Sequence, residues 1–191
     1  MKSRTVLSFV ALMMCITVAV EQSYADDDYD VEEAYEVYNV VLPHEESYGF
    51  SKGTLVIQQE TVKKPEASGP CFTDEARDKF MDALSDLDGL TSKAWLLQRK
   101  FQIAKPYQLV SSDTIRLSLN KEGWDGFHIR YPNSGGYLVM SPIGFNKDKT
   151  RAIVYTGSSC GLLCGGWGFH LLEKSHGKWK EVPGITCRSA S

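Results

Sequence analysis

The sequence predicts an α+β fold, with two or three N-terminal helices packed on one face of an antiparallel β-meander. Three observations carry this expectation. Apolar residues recur at helical spacing in the first half of the chain, then at alternate positions or in short β-branched and aromatic runs from Pro106 onward. The later runs are joined by short connections, which favour antiparallel neighbours. The 191 residues are 42% hydrophobic and 11% aromatic, near the average of globular chains and sufficient for one core. With 24 acidic against 21 basic side chains the balance is faintly acidic, which argues against a dedicated nucleic-acid binder.

Residues 1–25 read as a cleaved signal peptide, leaving 26–191 as a single α+β domain. Lys2 and Arg4 precede an uncharged apolar run at 6–20, and Ser23 and Ala25 place small residues before an acidic stretch. Such a run spans roughly 22 Å as a helix, short of the roughly 30 Å hydrocarbon core, so a permanent anchor is disfavoured. Met13 and Met14 stand before Cys15 where lipid attachment would need a small residue. The expected location is periplasmic or secreted, with no membrane span after cleavage.

Residues 26–46 carry nine acidic side chains and no basic one. Acidic residues favour a helix start, and Val31, Tyr35, Tyr38 and Val41 or Leu42 give that helix one apolar face, ended by Pro43. The sharper alternative is an acidic arm that docks a basic partner or the basic remainder of the chain. A strand is expected at 55–61 and a loop at 63–70. Thr73 caps a second helix whose buried face is Ala76, Phe80, Leu84 and Leu87, with Gly89 as its stop. A short third helix is expected at 92–101, with Ala94, Leu97 and Phe101 inward. Ile115, Leu117 and Leu119 alternate and predict a strand at 114–119. Further strands are expected at 137–143, 152–156, 169–173 and 179–182, with turns at 146–149 and 175–178.

Four cysteines follow the apolar leader. An even count in an oxidising compartment reads first as two disulfides. Three pairings are open; the glycines around Cys160 and Cys164 favour joining these two, which pairs Cys71 with Cys187. Zinc is the competing reading, with His170, Cys71 or Cys187 completing the Cys160-x3-Cys164 pair, but strong zinc signatures carry two such pairs. The loop at 158–168 has no lysine for a phosphate cradle and lacks the spacing of a cysteine nucleophile. No cofactor, metal or catalytic residue is assigned.

The four histidines are scattered. His170 lies between Phe169 and Leu171 on a strand and points to the face opposite both; were that face exposed, it would join Tyr155 or Arg151 in a shallow binding surface. Glu122 and Asp125 form the one close carboxylate pair expected outside helices. Trp124, Phe127, Tyr131 and Tyr137 make residues 123–137 unusually aromatic for a loop, either folded over a core edge or contacting a ligand or partner.

The stretch 136–182, with Gly144-Phe145-Asn146, Cys160-Gly161-x-x-Cys164-Gly165 and Gly177-Lys178-Trp179, resembles exported bacterial proteins of no assigned activity. That resemblance implies a bacterial envelope or secreted setting and transfers no catalytic residue. The closing strand–Gly-Lys-Trp–strand hairpin is also similar to the last hairpin of cone-shaped folds of the nuclear-transport-factor type, a likeness of fold alone. The expected function is a non-enzymatic, disulfide-stabilised domain that binds a protein or small-molecule partner in the cell envelope. The candidate ligand surface is Trp124, Phe127, Tyr131, Tyr137 and His170. The alternative is an envelope hydrolase or metal-dependent enzyme using His170, His128 and nearby carboxylates.

Overall fold

The computed structural model describes residues 31–43, 53–63 and 72–183, together with the backbone of 187–190. The expected signal peptide, the first acidic residues of the arm, His44 and Cys71 lie outside the described residues, as does the side chain of Cys187.

The chain is α+β. Its elements run α1 (Glu32–Val41), β1 (Leu55–Gln58), α2 (Asp74–Lys79), α3 (Met81–Leu90), β2 (Tyr107–Val110) and α4 (Ser112–Arg130). Then follow β3 (Tyr137–Met140), β4 (Gly144–Phe145), β5 (Arg151–Gly161), β6 (Cys164–Ser175), β7 (Lys178–Glu181) and β8 (Cys187–Ala190). All the described strands join one sheet in the order β2-β1-β3-β5-β6-β7, with β4 on β5 and β8 on β6. The later strands form the expected antiparallel run. The sheet as a whole is mixed, because β1 lies parallel to both β2 and β3. Turns close where glycine and polar residues predicted them: His176 and Gly177, at φ 52 and 74, make the two-residue left-handed turn between β6 and β7.

Helices cover both faces of the sheet, a correction to the expected one-sided packing. On the first face, α1 lays Tyr35, Val37, Tyr38 and Val41 over Leu138, Val154, Leu172 and Trp179. The Tyr38 hydroxyl donates to the Ser141 carbonyl at 2.7 Å, and the Glu33 carboxylate bonds to Lys174 and to the Trp179 indole. On the second face, Ala76, Phe80, Ala83 and Leu87 of the α2–α3 segment pack on Ile153, Tyr155, Phe169 and Leu171. Beside them α4 sets Phe127 on Val56, with Tyr131. Thr73 caps α2 as expected, its hydroxyl accepting from Ala76 N at 3.2 Å.

Two expected elements are replaced. Residues 92–101 are not a helix. They run extended beside the end of β1, with Leu97 N donating to Gln59 O and Thr61 N to Trp95 O, both at 2.9 Å. Gln98 N also donates to the Tyr35 hydroxyl, so tertiary bonds take the donors a helix would have used. Residues 114–119 are not a strand but the start of α4. Ser111 caps this helix by accepting from Thr114 N, and the Glu60 carboxylate accepts from Ser112 N at 2.7 Å. The alternation of Ile115, Leu117 and Leu119 is incidental: Ile115 and Ser118 face inward, while Leu117 is 46% exposed.

Candidate functional site

The β5–β6 ribbon changes character along its length. Near Arg151↔Glu173 it is built from β-branched, leucine and aromatic residues; beyond Thr156 it becomes Gly157, Ser158 and Ser159 facing Gly165, Gly166 and Trp167. Small side chains add little packing to a strand, and this distal half is held instead by ladders to β3 on one edge and β8 on the other. A disulfide between Cys160 and Cys164 closes its end, with the two Cα atoms 5.1 Å apart. Register shifts between Ser159 and Gly161, which tightens the turn. At position 165 a Cβ would sit 2.7 Å from the Ser158 carbonyl, so glycine lets the strands close there. The bridge expected between these two cysteines is present; the Cys71–Cys187 pairing lies outside the described residues.

At the apex, Leu162 and Leu163 are 92% and 89% exposed. Burying either would be worth roughly 1.5–3 kcal/mol, so the braced turn presents an apolar point to water. Two cavities flank them. One, of about 340 Å³, lies on the second face, walled by Tyr137, Tyr155 and Trp167 and floored by Gly157 and Gly165. The other, of about 610 Å³, opens between the hairpin tip and α4, lined by Leu119, Glu122, Gly123, Trp124, Asp125 and Leu162. It lies where α4 is interrupted: Gly123, in its lining, takes φ 64 and ψ −163, which breaks the helical ladder in a conformation reserved for glycine.

The segment 123–137 is therefore mostly helix rather than loop, and Glu122 and Asp125 sit within α4 at its kink, not outside a helix. Trp124, Phe127 and Tyr131 follow each other at spacings of three and four, the signal that identifies the helix. Phe127 is fully buried and Tyr131 nearly so, with burial pushing the Tyr131 hydroxyl pKa up. Trp124 and Tyr137 are half-buried, their rings stacked at 6.1 Å and 18°. These two rings reach the cavities; Phe127 and Tyr131 support them from the core.

His170 is fully buried on the α1 face, paired with Val154. Tyr155 and Arg151 point to the opposite face, so the sheet does not bring them to His170. Its ring instead spans three strands, with Nε2 2.9 Å from Thr156 Oγ1 and Nδ1 2.9 Å from Glu181 Oε1. When Nδ1–H donates to the carboxylate, Nε2 accepts from the threonine hydroxyl. The order hydroxyl–imidazole–carboxylate is that of a hydrolytic triad, but Thr156 is 2% exposed. His128 lies exposed on α4, across the sheet from His170.

Among the described residues no group of three His, Cys, Asp or Glu side chains is placed to hold a metal. No helix of the described residues is long and apolar enough to cross a membrane. Leu162 and Leu163 escaped the sequence reading; the signal available was a leucine pair enclosed by two cysteines at bridging distance. Comparison with protein-family models, curated proteins and solved structures finds no match for this chain.

Proposed function

We propose that the protein is an exported, non-catalytic binding domain whose contact element is the disulfide-braced β5–β6 tip. One observation carries this reading: two leucines are held almost fully in water on a covalently closed turn, between two cavities that share Leu162. A preformed apolar tip loses little conformational entropy when it docks, and affinity benefits accordingly. The export reading rests on the leader-like residues 1–25 and on the even number of cysteines after them.

The hydrolase reading draws on the Thr156–His170–Glu181 chain. A nucleophile must meet a reacting carbonyl, and the burial of both Thr156 and His170 favours a structural role for the chain.

A photo-crosslinking residue placed at 163 tests the proposal in the living producer cell, with position 147 on the opposite turn as control. Discrete adducts are expected from 163 and none from 147. Absence of adducts from 163, or equal labelling from both, overturns the reading.

A further inference from the structure

The cavity at the α4 kink combines an apolar interior with an acidic rim. Leu119, Trp124 and Leu162 supply the apolar surface, and Glu122 and Asp125, both exposed, stand beside it. None of the side chains lining it is basic. Arg130 lies 3.7 Å from Glu122 and compensates part of that charge, whereas Asp125 has no ion-pair partner among the described residues. The cavity is open to solvent, and its volume of about 610 Å³ is comparable with that of ligand clefts. The interior is preorganised, because Trp124 is held against Phe127 at 5.4 Å and against Tyr137.

We propose that this cavity is the docking site for a basic, apolar peptide segment of a partner protein, a proposal that rests on the binding-domain reading above. An aliphatic side chain of the segment lies between Leu119, Trp124 and Leu162. Its neighbouring lysine or arginine lies over Asp125 and Glu122. Charge complementarity selects this occupant: a neutral side chain would leave the acidic rim unused, and an acidic segment would be repelled by it. Leu162 forms a wall of this cavity, so docking here buries part of the tip that the first reading makes the contact element.

The test uses the intact protein and two synthetic peptides, acetyl-Leu-Lys-Leu-Leu-Arg-Leu-amide and its counterpart with glutamate at both charged positions. The basic peptide is expected to shift the Trp124 indole N–H resonance saturably, and the acidic peptide to leave it in place. Asp125→Asn with Glu122→Gln is expected to weaken binding on the order of fivefold, the upper range for exposed ion pairs, and added salt should do the same. Lysine at both positions should transfer the preference to the acidic peptide; as both side chains are exposed, this variant keeps the fold. Equal binding of the two peptides, or an unmoved Trp124 resonance at saturating peptide, overturns the proposal. If crosslinks from position 163 persist in that case, the contact role of the tip stands and the peptide chemistry falls; if they are absent as well, both readings fall.

Discussion

The two halves of the β5–β6 ribbon share strands, ladder and direction, yet they are stabilised in different ways. The proximal half, around Val154, Leu171 and Leu172, is buried on both faces between α1 and the α2–α3 segment. The distal half consists of glycine and serine beside Trp167, and a disulfide closes it. Packing makes the first half rigid at the expense of accessibility. The second half is held by ladders to β3 and β8 and by the disulfide at its end, and its tip at 162–164 is exposed. The difference shows how one hairpin is core at one end and exposed apolar turn at the other.

Truncating each half should separate the two roles by stability. Leu171→Ala removes a fully buried side chain and is expected to cost about 2–5 kcal/mol, whereas Leu162→Ala should stay within about 0.5 kcal/mol. Urea unfolding of the two variants checks this, and comparable losses would erase the distinction. Opening the bridge with Cys160→Ser and Cys164→Ser should have a smaller global effect, about 2 kcal/mol from chain entropy for so short a loop. Its local effect is the sharper one. Amide exchange should quicken at residues 160–165, beyond the ladders to β3 and β8, and stay protected at 152–156 and 169–172; uniform loss of protection would mean that the halves form one cooperative unit.

The smallest effect expected is electrostatic and belongs to the proximal end. Lys79 and Arg151 hold the Glu173 carboxyl below its ordinary pKa, and Lys174 does the same for Glu33. A depressed carboxylate pKa stabilises the fold above the unfolded value, near 4.5, and that contribution is lost as pH falls through the folded value. Unfolding midpoints measured from pH 6 to pH 2 should therefore decline below about 4.5. Glu33→Gln and Glu173→Gln should each flatten the decline by less than about 1 kcal/mol, since both pairs are partly solvated. An unchanged acid limb in both variants would assign the decline to other carboxylates.

Legibility in the sequence follows which interactions are local. α1, the Thr73 cap, the turn at 175–178 and the Cys160–Cys164 bridge were readable, because each depends on residues within a few positions of one another. The extended path of 92–101 was not, because it is fixed by Gln59, Thr61 and Tyr35, far away in sequence. The start of α4 reads as a strand because Ile115, Leu117 and Leu119 alternate; the local signal for the helix is the Ser111 cap with Asp113 in the first turn. At the site, Trp124 and Tyr137 were singled out by aromatic density, and the structure sets both beside cavities. The exposure of Leu162 was invisible, since hydrophobicity alone does not reveal that a turn has nothing packed over it. His170 was read as a face-dependent residue; helices on both sides of the sheet remove the exposed face that reading required.

The parallel placement of β1 also makes its ladders long-range in sequence. Leu55, Val56 and Ile57 take β2 and β3 as neighbours, strands that begin at Tyr107 and Tyr137. During synthesis β1 emerges well before either of them, so its apolar residues wait without a ladder. Pairing over such sequence separations is slow, and α1 has no sheet to rest on until the later strands arrive. The ladders of β1 thus tie the N-terminal part of the chain to residues 107–138, and they close only when those residues are present.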